Sequence, residues 1–337
     1  MKKTALAIFA AAGLAVAGLA LSSGMAQAAA KKQLVIIVKG LDNPYFESMH
    51  KGCEKWNSEN PNSQYSCFYT GPASTADEAG EAQILQDMLA KPSTAAIAIS
   101  PSDAHLIANV LKNTKHTIPI MTVDADLAKA DSALRKTYLG TDNYQMGVDL
   151  AKALKKAEPK GGTVCLIEGG AAADNILRRA QGTYDVLSGQ KGLKKLTGQG
   201  GWTEVAGCPK FTNDDGATGV KDMTDVLAAN PNLTAFVLEG GWPLFAAPEA
   251  YKQLGTPLKS KLADGSFYIA SADTIGAEPD LLKAGLVNVL VGQQPFQMGF
   301  MAPGVMIKLI EGKKVSDPVY TGLDHCTQKN VSTCISG

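Results

Sequence analysis

The sequence predicts an α/β protein of two Rossmann-like units, each a parallel sheet covered by helices. Three observations carry this. Short strands rich in β-branched or small apolar residues alternate with helices of about 10–15 residues, the pattern of parallel sheets. The alternation runs to residue 123 and restarts after Tyr138-Leu139-Gly140-Thr141. The chain has 337 residues, enough for two domains at roughly 150 residues each.

Taken in order, residues 33–38 (QLVIIV) form a first strand, 45–59 a helix and 64–69 a strand. A helix over 75–90 opens at Thr75, with Glu78 three positions on as a capping box. A strand at 95–99, a helix at 102–114 and a strand at 118–123 complete the first run. The second run has helices at 143–157, 174–188, 217–229 and 245–254. Its strands are 163–167, a weak one at 202–206, 234–238 and 267–271. A short helix near 279–284, a strand at 286–291 and a long helix at 296–311 follow. The Gly-, Thr- and Ser-rich tail, 317–337, reads as irregular.

The first residues read as an address. Lys2 and Lys3 precede an apolar run to Leu21, and Ala26-Gln27-Ala28 has the A-x-A form of a cleavage site. A secretory signal ending near Ala28 is expected, with a retained anchor as the competing reading. No later stretch reaches the ~18 consecutive apolar residues of a membrane span. All six cysteines, 53, 67, 165, 208, 326 and 334, lie beyond that point, and an even number in an exported chain reads as disulfides. Nearest-neighbour pairing is favoured among the 15 possible connectivities, with free buried cysteines as the alternative. No C-x-x-C occurs and the four histidines lack i, i+4 spacing, which argues against zinc.

Composition narrows the function. Thirty-two basic residues balance 32 acidic ones, so nothing favours a nucleic-acid or acidic-membrane partner. At 45% hydrophobic and 19% charged, the chain is not a disordered one. The nucleophile elbow, the phosphate loop and the dinucleotide fingerprint are all absent from the sequence. Asp124 and Asp273 could form a glycosidase-like carboxylate pair, or could simply serve turns and caps.

Ligands of open α/β sheets bind beyond the carboxyl ends of the strands. The residues at those ends are Lys39, Asp42, Asn43, Tyr45 and Phe46; Ser100 and Asp103; Asp124; Glu168, then Arg178 and Arg179; Glu239 and Trp242; Asp273; and Gln293, Gln294 and Phe296. Aromatic faces with carboxylates, amides and arginine suit a polyhydroxylated ligand. Rings cover the apolar C–H face of a sugar, while carboxylates accept from its hydroxyls and Asn, Gln and Arg donate to its oxygens.

Leu41-Asp42-Asn43-Pro44-Tyr45-Phe46 resembles the N-N-P-F-F segment of ribose-type periplasmic sugar-binding proteins, the type I solute-binding proteins of bacterial ABC importers. Ile99–Asp103 looks like their N-P-x-D turn, and Ile118–Asp124 like their I-P-V-x-x-x-D strand. Thr141-Asp142-Asn143 with Gly147, Arg179–Gly182 and Gly292–Pro295 match further motifs in the same order. The resemblance implies two lobes joined by a three-crossing hinge, with crossings near 141–143, 292–295 and 321–324. It implies lobe 1 from 29–141 plus 294–322, and lobe 2 from 142–293 plus 323–337.

It also implies a ligand site. Asn43, Asp124, Arg179, Asp273 and Gln293 would hydrogen-bond a sugar or polyol, and Tyr45 and Phe46 would wall it in. Trp242 would join them, or serve as core. Two departures stand out. Ala125 replaces an arginine common in ribose binders, and the family's Asn after strand 234–238 falls near Gly240. Both argue against plain ribose and suit another pentose, a hexose, a furanose form or a sugar alcohol. Lys39 and Glu239 have no counterpart and read equally as solvated or capping residues.

The implied chain is a periplasmic monomer without cofactor or catalytic residues, delivering its ligand to an ABC permease of the inner membrane. A sensing subunit for a chemoreceptor or kinase and a secreted glycosidase are the alternatives. Repressors that share this fold carry an N-terminal helix-turn-helix, where this sequence has its apolar leader.

Overall fold

The computed structural model describes residues 30–335. The expected leader and its cleavage point lie outside the described residues. The chain opens with β1 (Lys32–Ile37), α1 (Pro44–Glu59), β2 (Tyr65–Thr70), α2 (Glu78–Ala90), β3 (Thr94–Ile99), α3 (Ala104–Asn113), β4 (Ile120–Val123) and β5 (Tyr138–Gly140). It continues with α4 (Asn143–Ala157), β6 (Gly162–Glu168), α5 (Asp174–Ser188), β7 (Trp202–Glu204), β8 (Lys210–Phe211) and α6 (Gly216–Ala229). Then come β9 (Ala235–Leu238), α7 (Trp242–Phe245), α8 (Pro248–Gly255), α9 (Lys259–Asp264), β10 (Tyr268–Ala272), α10 (Glu278–Lys283) and β11 (Val289–Gly292). The last elements are α11 (Pro295–Ile310), β12 (Val319–Tyr320) and β13 (Asp324–Thr327).

Two sheets result. The first runs β12-β5-β4-β3-β1-β2 and the second β13-β11-β10-β9-β6-β7, with β8 also on β6. All pairings between these strands are parallel except β11 with β13. The central strands are buried on both faces, as helices on each side require. Read from β2 and from β7, both sheets have the order 2-1-3-4-5. The strand order therefore reverses between β1 and β3 and between β6 and β9, and these are the switch points beside which ligands bind. Register brings the carboxyl ends level there, with Ile37 beside Ile99 and Ile167 beside Leu238.

The chain passes between sheets after β5, after β11 and between β12 and β13. These passages are tied to one another. Thr141 Oγ1 donates to Gln293 Oε1 (2.9 Å), and the Thr321 N–H donates to the Gly140 carbonyl (2.9 Å).

Several expectations change. The cap of α2 is Asp77, whose carboxylate accepts from Gly80 N–H (2.9 Å). Thr75 is held instead by Asp42, which accepts from its N–H and its hydroxyl. The helix expected over 245–254 is α8, opened by Pro248, and a separate four-residue helix, α7, precedes it. The irregular tail contains β12 and β13, one in each sheet. The strands β5 and β8 and helix α9 were not foreseen. The cysteines pair as nearest neighbours: 53 with 67, 165 with 208, and 326 with 334.

Candidate binding cleft between the lobes

All eight expected site residues, Asn43, Tyr45, Phe46, Asp124, Arg179, Trp242, Asp273 and Gln293, line one cavity between the two sheets. Each is held by local structure. Asn43 caps α1, its Oδ1 accepting from Tyr45 N–H (3.0 Å). That cap places Tyr45 and Phe46 in the first turn, edge to face at 5.1 Å. The Tyr45 hydroxyl donates to Gln293 Oε1 (3.3 Å), and Gln293 Nε2 donates to Asp273 Oδ1 (2.7 Å).

Asp124 and Asp273 occupy equivalent places in the two sheets. Asp124 follows β4 at φ +63° and Asp273 follows β10 at φ +73°. Their N–H groups continue the ladder, to Leu139 O (3.0 Å) and Val291 O (2.8 Å). The left-handed turn then breaks the strand, a conformation Asp tolerates better than most residues. Such strain concentrates at functional sites. Asp124 Oδ2 accepts from Ser100 Oγ (2.7 Å) and Asp273 Oδ2 from Gly241 N–H (3.0 Å). Burial pushes the Asp273 carboxyl above its usual range, against the pull of Arg179, Gln293 and the Gly241 N–H. Burial also drives the Tyr45 phenol well up, and the charges of Asp124 and Asp273 add to this.

Arg179 is only 1% exposed. Its Nε donates to Asn143 Oδ1 (2.8 Å) and one terminal nitrogen to Glu239 O (2.7 Å). The other terminal nitrogen is buried without a partner. An unpaired buried donor is costly, and Arg179 is one of the residues that line the cavity. Gly147 lets α4 approach α5 at this residue, because a methyl group there would overlap the Arg179 carbonyl. Trp242 is buried in α7 with its ring over Gly240. Any side chain at 240 would strike that ring, so the glycine and the tryptophan belong together.

Four further residues line the cavity: Lys39, Asn175, Asp214 and Phe245. Lys39 Nζ, from the first lobe, reaches Asn175 Oδ1 (3.2 Å) and Asp214 Oδ2 (3.9 Å) in the second. Burial raises the Asp214 carboxyl and Lys39 pulls it back down. The sequence reads Lys39 and Glu239 as solvated or capping residues, but both are buried, at 2% and 0% exposed. Asp214-Asp215-Gly216 precedes the helix expected over 217–229, and Asp215 does cap α6. Only the folded cleft reveals its neighbour.

The lobes are closed on each other. Ala104 N–H donates to Ala172 O across the cleft (3.3 Å). Ala173, Ile176, Trp242 and Phe245 of the second lobe share one apolar cluster with Leu34, Tyr45 and Phe46 of the first. The cavity they leave is about 20 Å³, room for roughly one water. An outer chamber of about 340 Å³ adjoins it, sharing Asn43 and Asp214. A ligand of monosaccharide size therefore reaches the inner residues only when the lobes part.

This architecture, two parallel sheets with a polar and aromatic cleft at their switch points, defines a two-lobed binding protein. The profile of the periplasmic binding protein domain matches residues 34–314, and the chain belongs to that family. The ribose import binding protein of Salmonella typhimurium is 23% identical over 302 residues, covering 89% of this chain and 92% of that protein. The D-allose-binding periplasmic protein of Escherichia coli is 24% identical over 305 residues, covering 88% and 90%. Among solved structures, an ABC transporter solute-binding protein of Burkholderia graminis in complex with D-arabinose superposes with a TM-score of 0.74. It is 24% identical and the match covers 90% of this chain and 98% of that one. A counterpart from Agrobacterium vitis with bound D-fucose gives 0.75 at 22% identity, covering 89% and 97%.

Proposed function

We propose that the protein is an exported solute-binding protein that captures a monosaccharide or sugar alcohol by hinge closure and delivers it to an ABC importer. The observation that carries this is the convergence of Asn43, Asp124, Arg179, Asp273 and Gln293 with Tyr45, Phe46 and Trp242 on one interlobe cavity. Hydrogen-bonding groups from both sheets can enclose a ring there, and aromatic faces can cover its C–H surfaces. Closure removes these groups from water and strengthens each bond to the ligand.

On this reading the chain is a monomer of the periplasm that binds without chemical turnover, and its closed form is what an inner-membrane permease recognises. Lobe 1 comprises 29–141 plus 294–322 and lobe 2 comprises 142–293 plus 323–337, a division that the strand membership of the two sheets supports. The residues at 125 and 240, alanine and glycine, favour a ligand other than ribose. A thermal-shift panel of pentoses, hexoses, 6-deoxy sugars and inositols tests the proposal. A ligand at about 100 times its Kd adds ~2.7 kcal/mol of stability, so one or more members should raise Tm clearly. A purified, ligand-stripped protein that responds to none contradicts it.

A further inference from the structure

The second lobe holds another cavity, of about 330 Å³, that shares no lining residue with the interlobe cleft. That volume falls within the ~300–1,000 Å³ range of small-molecule sites. One wall is a single face of α5, Leu177, Ala180, Gln181 and Tyr184, at i, i+3, i+4 and i+7. Pro209 and Phe211, beside and on the edge strand β8, line it too. Leu177 and Phe211 are 48% and 45% exposed, two of the five large apolar side chains left open among the described residues. Both border this one cavity, so the apolar surface they present is concentrated around it.

The cavity also holds Glu168, the last residue of β6. Glu168 is only 3% exposed, and its carboxyl makes no hydrogen bond with the described residues. Its oxygens are not among the side-chain atoms sealed from solvent without a partner, so they stay open to a donor that enters the cavity. Burial pushes this carboxyl up to about 8, and neighbouring Glu239 and Glu204 add to the effect. Glu204 accepts from the Tyr184 hydroxyl (3.1 Å), while its other oxygen is buried without a partner. Gln181 spends its amide N–H groups on Asp185 and on the Leu193 carbonyl. What Gln181 has left is a carbonyl acceptor. Arg179 lines the interlobe cleft and is not part of this cavity. Lys194 stands exposed at the rim, free to turn to solvent. The described carboxylates form no group able to hold a metal ion. Acceptors, aromatic faces and apolar walls are thus offered together, without a metal-binding geometry.

We propose that this cavity binds a small organic cation, a primary ammonium on an apolar or aromatic body. The ammonium donates to Glu168, which gives up its proton to solvent as the amine binds, and to the Gln181 carbonyl, and Leu177, Tyr184 and Phe211 cover the body. A cation near the Tyr184 or Phe211 ring gains further from the ring quadrupole.

The test is calorimetric titration of the full chain with 2-phenylethylammonium and its neutral counterpart 2-phenylethanol. The amine is expected to bind at least about tenfold more tightly than the alcohol, which corresponds to ~1.4 kcal/mol. Glu168→Gln, which keeps the shape of the side chain, should remove that preference. Phe211→Ser changes an exposed residue and should weaken both probes several-fold. Asp124→Asn, in the interlobe cleft, should leave amine binding unchanged. Equal affinity for amine and alcohol overturns the proposal. So does amine binding that survives Glu168→Gln, or that is lost in Asp124→Asn, since the latter places the amine in the other site.

Discussion

Lys39 is the residue whose importance only the fold shows. It lies after β1, yet its charge is met by Asn175 and Asp214 of the other lobe. The pair is 3% and 7% exposed, so salt screens it little. Removing one member of a buried pair strands the other, at a cost of several kcal/mol. Because these partners meet only across the closed cleft, Lys39→Met should penalise closure more than folding. Ligand affinity should fall by about tenfold or more, equivalent to ~1.4 kcal/mol, with a smaller loss in Tm. Adding Asp214→Asn removes the stranded charge and should restore part of the affinity. A double-mutant cycle in which the two changes simply add would contradict a coupling between them.

At the scale of elements, the strands that built the sequence argument are those with uninterrupted apolar runs, such as β1, β3 and β9. The strand ends offer a wider group of polar and aromatic residues, the family resemblance selects the eight from it, and the sheets bring those ends side by side. Several of the shortest elements leave no pattern in the sequence. β5 (YLG), β8 (KF) and β12 (VY) carry too few residues for a period, and sheet neighbours alone define them. The capping box at Thr75 gives way for a related reason: it is a local motif, and Asp42, 33 residues away, holds Thr75 instead. Asp214 and Asn175 were out of reach because their role depends on a lysine in the other lobe.

Two tests belong at this scale. Gly147→Ala should shift α4 from α5 and displace Arg179, lowering both Tm and ligand affinity, as paired melting and titration experiments would show. The Cys165–Cys208 bridge spans 43 residues and Cys326–Cys334 only 8. Chain entropy assigns about 4 and about 2.5 kcal/mol to loops of these lengths. Paired Cys→Ala variants should therefore rank with the longer bridge more costly in denaturant melts. The reverse order would point to packing as the larger effect.

Over the whole molecule, buried carboxyls set the response to pH. Burial pushes Glu81 up to about 7, Glu239 to about 7 and Glu168 to about 8. Each folded value lies above the ordinary value of 4.5, so the native state binds more protons than the unfolded one between those limits. Stability then falls as pH rises through that window. Tm should be higher near about pH 5 than near about pH 8, and Glu239→Gln should flatten the profile. A Tm that rises steadily across the same range would contradict this.

The proposed enclosure of one polyhydroxylated ligand between the lobes draws on groups from both sheets. It is tested most directly by titrating a single carbohydrate, chosen from the thermal panel, into the wild-type chain and into Asp124→Asn. Asparagine retains tolerance of the left-handed backbone at 124 but removes the charge that accepts from hydroxyls. A hydrogen bond to a charged group is worth about 1.5–3 kcal/mol, so the account predicts Kd weaker by about 10- to 100-fold with the fold intact. An affinity unchanged within about twofold, less than ~0.5 kcal/mol, would place the ligand elsewhere and contradict the account.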